Sequence, residues 1–218
     1  MDKLCTVIGV GPGMGMAIAK KFAQEGFNLA LVARRKEALA EYEKELSNKD
    51  VKTFSYPTDV SDLDQLGSTM NKIEKEAGQS NPLIYNVSVL NPSVPSKLKI
   101  EDLIQEFKIN VASALVCVKK VLPFMQKAKT GKIFLTGGGL ALNPCYEYVS
   151  LGIGKAAMRS LSISLSQELK QYGIHVATIT IDGMIEPGGR FDPDRIAEEY
   201  WRLYNQKPGK QEIEVIYN

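Results

Sequence analysis

The feature that most constrains this chain is a glycine-rich turn near its start, which reads VIGVGPGMG over residues 7–15. An apolar run precedes the turn and apolar residues at helical spacing follow it, so the sequence predicts a strand, a turn and a helix in succession. Glycines let the backbone approach a pyrophosphate, and the helix that follows offers unpaired N–H groups and the positive end of its dipole. We expect a dinucleotide to bind here; the alternative is a strand–helix connection without a ligand. The candidate binding residues are Gly9, Gly11, Gly13, Met14 and Gly15.

Strands and helices alternate along the rest of the sequence. Short apolar runs predict strands at residues 4–9, 28–33, 51–56, 83–86, 132–136, 174–181 and 212–217. Helical patterns cover residues 14–25, 36–47, 63–77, 100–128, 151–172 and 195–204. This alternation predicts an α/β fold, a single Rossmann-like, doubly wound domain over residues 1–218, with a seven-stranded, mostly parallel sheet and helices on both faces. Because ligands of such sheets bind beyond the carboxyl ends of the strands, the residues after each strand are the candidates for the site.

Composition excludes several classes of function. The 218 residues carry a net charge of +2, without a basic cluster, so we expect no nucleic-acid partner. The single histidine and the three widely spaced cysteines show no metal-ligand spacing, so no metal site is expected. Neither a membrane-spanning segment nor a signal peptide is visible, and free cysteines suit a reducing compartment. We therefore expect a cytoplasmic protein that does not engage a membrane.

The residues after the second predicted strand bear on which dinucleotide binds. Proteins that bind NAD place a carboxylate here, which accepts hydrogen bonds from the adenosine ribose. This chain has Ala33, Arg34 and Arg35 instead, and two guanidinium groups suit a 2′-phosphate. We therefore expect NADP(H) to be preferred over NAD(H); the alternative is two solvated arginines at the start of a helix.

Further residues complete the pattern of a known family. They are Asp59 and Val60 after the third strand, Asn86 after the fourth, and Asn110 and Lys155 on the two longest predicted helices. With the Gly-x-x-x-Gly-x-Gly spacing of the turn, they resemble the short-chain dehydrogenase/reductase family over nearly the whole chain. The resemblance implies that Asp59 and Val60 lie at the adenine and that Asn86 belongs to the family's Asn-Asn-Ala-Gly turn. It also implies that Asn110 and Lys155 are members of the catalytic tetrad. The implied reaction is reversible hydride transfer between a nicotinamide and a small-molecule carbonyl or alcohol.

The same resemblance shows departures at the groups that handle protons. The family has a tyrosine four residues before its lysine, where this chain has Leu151, and its catalytic serine falls on Gly138. Leucine cannot transfer a proton, and glycine has no hydroxyl. The Pro-Gly pair after the sixth strand reads Asp182-Gly183, so Gly183 keeps the expected cofactor contact. The threonine that contacts the carboxamide in the family falls on Pro187.

Two features could stand in for the missing groups. In a continuous helix Tyr148 would share a face with Lys155 but lie about 10.5 Å along the axis, against about 6 Å for a residue four positions away. A catalytic role for Tyr148 therefore requires that it precede the helix and fold back. The three glycines at 137–139 could present N–H groups to an oxyanion, or they could form a turn that merely lost its side chains.

Assembly and pocket closure can also be anticipated. The helical pattern over residues 110–125 is apolar around most of its circumference, so one face is free for a second copy. The family builds an interface from this helix and the one with Lys155, and we expect a homodimer or homotetramer. The segment 184–191 is shorter than the family's usual substrate lid, which leaves the pocket open or closed by other parts of the assembly.

Three functions follow from these residues and stay open at this point. The first is an NADP(H)-dependent oxidoreductase with unconventional proton delivery, through Asn110, Lys155, bound water and Tyr148. The second is a catalytically silent NADP(H)-binding sensor or assembly protein of the same fold. The third is an enzyme of another class that acts on a carbonyl through the glycine turn at 137–139.

Overall fold

The computed structural model describes residues 3–47 and 50–218, which form a seven-stranded sheet with helices on both faces. The strands are β1 (Leu4–Ile8), β2 (Asn28–Ala33), β3 (Thr53–Pro57), β4 (Ser80–Tyr85), β5 (Gly131–Thr136), β6 (Ile174–Ile181) and β7 (Glu214–Tyr217). The helices are α1 (Met14–Gln24), α2 (Lys36–Leu46), α3 (Leu63–Glu76), α4 (Ile100–Phe107), α5 (Ser113–Ala128), α6 (Val149–Leu169) and α7 (Pro193–Tyr204). The strand order is β3-β2-β1-β4-β5-β6-β7. Every neighbouring pair is parallel. The predicted doubly wound fold is confirmed, and the sheet is wholly rather than mostly parallel.

The five inner strands of the sheet are buried almost throughout because two separate apolar layers cover its two faces. Successive side chains of a strand point to opposite faces, so Cys5 and Val7 belong to one layer and Leu4 and Ile8 to the other. Helices α1, α2 and α7 cover the first face, and α3, α5 and α6 cover the second. This double coverage explains why the strands read as continuous apolar runs.

The predicted helix over residues 100–128 is wrong in one respect, because a wider π-helical turn at Lys108–Ala112 separates α4 from α5. The carbonyl of Ile109 in this turn accepts hydrogen bonds from the hydroxyls of Tyr85 and Ser113, both at 2.6 Å. These side chains satisfy a backbone group whose usual helical bond is shifted. The turn contains Asn110, so the interruption falls at a predicted site residue.

The carboxyl ends of the strands meet at one edge of the sheet, since all strands run in the same direction. The glycine turn follows β1, Arg34 follows β2, and Asn86 follows β4. The three glycines at 137–139 follow β5, and Asp182 follows β6. Within the described ranges, no helix is both long and apolar enough to span a bilayer, and no cluster of three His, Cys, Asp or Glu is arranged to hold a metal.

Candidate functional site

The turn between β1 and α1 uses its glycines in two different ways. A Cβ on Gly15 would lie 2.7 Å from the carbonyl oxygen of Gly9, and Gly9 itself has φ 90° and abuts Val87. These two glycines let the helix pack closely on the strand. Positions Gly11 and Gly13 have no atom within 4 Å of a Cβ, so their outer sides are open. Phosphate oxygens could approach the backbone there, and the turn fits the diphosphate of a dinucleotide.

A cavity of about 600 Å³ opens at this turn. It brings together the predicted residues Gly9, Gly11, Arg34, Arg35, Asp59, Val60 and Asn86. Met14 and Gly15 are buried at the start of α1, beneath the turn. Tyr42 and Ala38 also line the cavity, and sequence reasoning missed both. The sequence does contain a signal for these two residues, because positions 35, 38 and 42 have the spacing of residues on one face of helix α2.

Arg34, Arg35 and Asp59 set the charge of the cavity. A hydrogen bond of 2.9 Å from the N–H of Ser61 holds the pKa of Asp59 below its usual value, and the nearby positive charges of Arg34 and Lys108 act in the same direction. Asp59 is therefore an anionic acceptor at one wall. The two arginines lie where β2 ends and α2 begins, so they supply positive charge to the same cavity.

A chain of buried hydrogen bonds supports the glycine turn from below. The amide Nδ2 of Asn86 donates to the carbonyl of Gly9 at 3.1 Å, and its Oδ1 accepts from the hydroxyl of Thr136 at 2.9 Å. The hydroxyl of Tyr200 on α7 lies 2.7 Å from the same Thr136 hydroxyl. Since Thr136 uses its proton toward Asn86, Tyr200 is the donor in this contact. Burial raises the pKa of Tyr200, so this phenol is a structural donor rather than an acid near neutral pH.

Lys155 lies at the end of β5, with its ammonium directed at the backbone. Its Nζ donates to the carbonyl of Thr136 at 3.0 Å, and burial lowers the pKa of Lys155 to about 8. Asn110 approaches the same part of α6: its Nδ2 would lie 3.0 Å from a Cβ on Gly154 and has no hydrogen-bond partner. The Oδ1 of Asn110 accepts from the N–H of Val89 at 2.8 Å. Asn110 therefore keeps a free donor next to the residue that precedes Lys155.

The three glycines after β5 each make room for a different neighbour. A Cβ on Gly137 would lie within 2.9 Å of two threonine hydroxyls of β6. A Cβ on Gly138 would lie 3.2 Å from Cε of Lys155, and one on Gly139 would overlap Oδ1 of Asp182. Glycine at 138 thus makes room for the stem of the lysine, and glycine at 139 makes room for a carboxylate. The predicted loss of the family's serine at position 138 stays a prediction.

Tyr148 precedes α6 as its capping residue, as a catalytic role would require. Its backbone is fixed, however, by pairing with Ser93: the N–H of Ser93 donates to Glu147 at 2.8 Å, and that of Val149 donates to Ser93 at 3.4 Å. Tyr148 lines a second cavity of about 470 Å³. The residues around this cavity do not include Lys155. A catalytic role for Tyr148 stays a prediction, and this placement gives it less support than Lys155 has.

The short segment 184–191 is held against the end of the sheet. The ring of Phe191 fills the space beside Gly183, so a side chain on Gly183 would overlap that ring. Phe191 packs on Tyr217 at a centroid distance of 5.8 Å, and the Tyr217 hydroxyl donates to the carbonyl of Arg190 at 3.1 Å. The segment is therefore fastened to β7 by an aromatic contact and a hydrogen bond. The predicted contact of Gly183 with a cofactor stays a prediction.

Comparison with known proteins agrees with this fold. The family model described as short chain dehydrogenase matches residues 3–188. This chain belongs to the short-chain dehydrogenase/reductase family, a family of oxidoreductases. Its membership supports the binding of a nicotinamide cofactor and a small-molecule substrate.

The similar proteins and structures span most of the chain. An uncharacterized oxidoreductase of Staphylococcus aureus is 26% identical over an alignment of 207 residues that covers 90% of this chain and 88% of that protein. A 3-oxoacyl-[acyl-carrier-protein] reductase of Mus musculus is 27% identical over 82% of this chain and 74% of that protein. The crystal structure of a metagenomic short-chain oxidoreductase in complex with NADP has a TM-score of 0.90 at 23% identity and covers 98% of this chain and 96% of its own. This last likeness concerns the fold.

Proposed function

We propose that this single-domain, cytoplasmic protein is an NADP(H)-dependent oxidoreductase that interconverts a carbonyl compound and an alcohol with unconventional proton delivery. The observation that carries the proposal is the cavity at the glycine turn, where Gly11 and Gly13 are open and Arg34 and Arg35 stand without a carboxylate at the end of β2. The bound nicotinamide supplies or accepts the hydride. The arginines bind the 2′-phosphate and Asp59 accepts from the adenine.

Proton transfer is assigned to Nζ of Lys155, because its pKa of about 8 keeps it near balance between two protonation states. In the reducing direction the ammonium gives a proton to the oxygen of the substrate, and in the oxidising direction the amine accepts one. The free Nδ2 of Asn110 holds the water that restores the proton of Lys155. Leu151 is buried and contributes no proton.

The mouth of the site favours a substrate with an apolar part. Leu90, Tyr146 and Met184 are 62%, 66% and 81% exposed, on the loops that follow β4, β5 and β6 respectively. Large apolar side chains exposed on three loops at one edge of a sheet are suited to an apolar ligand that crosses them. We propose a carbonyl compound or alcohol with an apolar chain or ring.

We also propose a homodimer or homotetramer assembled through α4 and α5. Ile100 and Ile104 on α4 are 65% and 63% exposed, and Phe107 and Leu115 continue the apolar surface toward α5. This exposed apolar surface is centred on α4, whereas the apolar stretch predicted from the sequence lies at residues 110–125, mostly in α5. Burying it against its own copy would remove this apolar area from water.

The test is a titration of the protein with NADPH and NADH by fluorescence, followed by carbonyl compounds with apolar substituents, monitored at the nicotinamide absorbance. We expect tighter binding of NADPH and turnover that Lys155→Met removes. Tyr148→Phe tests the predicted catalytic role of Tyr148, which unchanged turnover would exclude. Lys170→Met, an exposed lysine just after α6, is the matched control. If the protein binds NADPH but oxidises it with no substrate, the silent sensor is favoured. The observation in its support is the buried Leu151, which cannot transfer a proton. Failure to bind either nucleotide would reject the proposal.

A further inference from the structure

Asp182 is a charged residue at the carboxyl end of β6 for which the mechanism above has no role. Its N–H donates to the carbonyl of Tyr217 at 2.8 Å, which fixes the backbone, and its side chain rests on Gly139. The carboxyl carbon would lie 2.8 Å from a Cβ at that glycine. Across residues 3–47 and 50–218, the carboxylate has neither a hydrogen-bond donor nor a cation as its partner. The side chain is half-buried, and its carboxylate is open to a ligand that provides a positive charge or a hydrogen-bond donor.

The position of Asp182 in the sheet indicates which ligand group it meets. In a doubly wound fold the dinucleotide crosses the point where the strand order reverses, which here lies between β1 and β4. The cavity with Arg34 and Asp59 belongs to the half formed by β1, β2 and β3. We therefore expect the nicotinamide end of the dinucleotide at the other half of the sheet, formed by β4, β5 and β6. Asp182 directly follows β6 in that half.

The surroundings of Asp182 leave its charge unopposed on that side. Lys155 lies along the neighbouring Gly138, but its Nζ donates to the carbonyl of Thr136. Glycine at 139 removes the side chain that would otherwise hold the carboxylate away from the β5 turn. The chain thus brings a negative charge to the turn at which the nicotinamide end is expected.

We propose that Asp182 makes the site select the oxidised nicotinamide, whose ring carries a positive charge, over the neutral reduced form. The inference rests on the proposed function, since it presupposes a nicotinamide cofactor. A carboxylate near the ring stabilises the oxidised form by direct Coulomb attraction, which is strong in a site partly shielded from water. By linkage, tighter binding of the oxidised form makes the bound reduced form a stronger hydride donor.

The test compares the dissociation constants of NADP+ and NADPH for the whole protein and for Asp182→Asn, which keeps the size of the side chain. We expect the ratio of the NADP+ constant to the NADPH constant to rise roughly tenfold, mostly through weaker NADP+ binding. Glu186→Gln removes an exposed carboxylate from the loop after the same strand and serves as the matched control, with an unchanged ratio. Asp182→Ala is the second variant, in case the asparagine side chain does not fit against Gly139.

The possible outcomes separate this inference from the proposed function. If the unmodified protein binds neither nucleotide, the proposed function fails and this inference fails with it. If the protein binds both, and either Asp182 variant leaves the ratio within about twofold of the original, the inference alone is overturned. An equal loss of affinity for both forms also overturns it, because that result would mean a neutral hydrogen bond or a packing role. A change of the ratio by the same factor in Glu186→Gln would also overturn the inference, because any nearby negative charge would then have the effect attributed to Asp182.

Discussion

Replacing Gly138 by serine would return to this chain the hydroxyl that the family pattern places there, and the contact distances set its cost. A Cβ at 138 would meet Cε and Cδ of Lys155 at 3.2 and 3.4 Å, atoms of a flexible stem that can shift by a few tenths of an ångström. We expect a loss of stability below about 1 kcal/mol. The neighbouring change Gly139→Ser is the matched contrast, because its Cβ would overlap Oδ1 of Asp182 and lie 2.9 Å from the Asp182 Cα. That backbone has to move, at a cost of about 1–3 kcal/mol.

Thermal unfolding measures the difference directly. For a chain of this size, about 1 kcal/mol shifts Tm by about 2–4 °C. We therefore expect Gly139→Ser to melt roughly 2–12 °C lower and Gly138→Ser within about 4 °C of the original. With Leu151→Tyr added, Gly138→Ser regains both missing groups, and kcat/KM for carbonyl reduction should rise by at least about tenfold, since a general acid typically contributes 10²–10⁴-fold. The reasoning is refuted if Gly139→Ser melts like the original while Gly138→Ser melts lower, or if the double variant folds, binds NADPH and gains no rate.

Three further changes test the cofactor preference, the proton donor and the assembly. Arg34→Ala should weaken NADPH binding by about 10- to 100-fold, the loss of a charge-assisted hydrogen bond worth about 1.5–3 kcal/mol, and should change NADH binding little; equal losses for both would contradict the 2′-phosphate contact. Because the pKa of Lys155 is lowered to about 8, kcat/KM for carbonyl reduction should fall as pH rises through that value, and the rate of alcohol oxidation should rise. A flat profile in both directions would exclude Lys155 as the donor. Phe107→Asp should shift the protein to a smaller species in size-exclusion chromatography at micromolar concentration, whereas an unchanged elution volume would place the interface elsewhere.

The fold could be predicted because local signals agree with the tertiary structure. Continuous apolar strands follow from a sheet covered on both faces, and glycine turns and helical spacing mark the changes of element. The strand 174–181 was predicted with its observed bounds, and the start of β7 at Glu214 lies two residues later than expected. Apart from the π-helical turn inside the predicted helix 100–128, the errors fall at the ends of elements, where the choice depends on capping and on distant partners.

The site was predictable only in part, for a physical reason. Residues predicted to touch the dinucleotide, such as Gly11, Arg34 and Asp59, follow strands in a fixed pattern, and the structure brings them into one cavity. Residues that act through another residue leave no local pattern. Tyr200 reaches Thr136 across 64 positions of sequence. In the same way, Ser93 fixes the backbone at Tyr148 through a β-bridge, and no residue spacing in the sequence predicts this pairing.

The wide turn at Lys108–Ala112 fixes the phase of the two helices that it joins. A π turn holds one residue more than an α turn, and one residue corresponds to about 100° of rotation. Deleting a single residue here would let the helix run on regularly, but it would swing the outward apolar stripe of α4 around relative to α5. The number of residues in this segment is thus as constrained as their identity. A relative that is one residue shorter at this point should present a different helix surface to a neighbouring subunit.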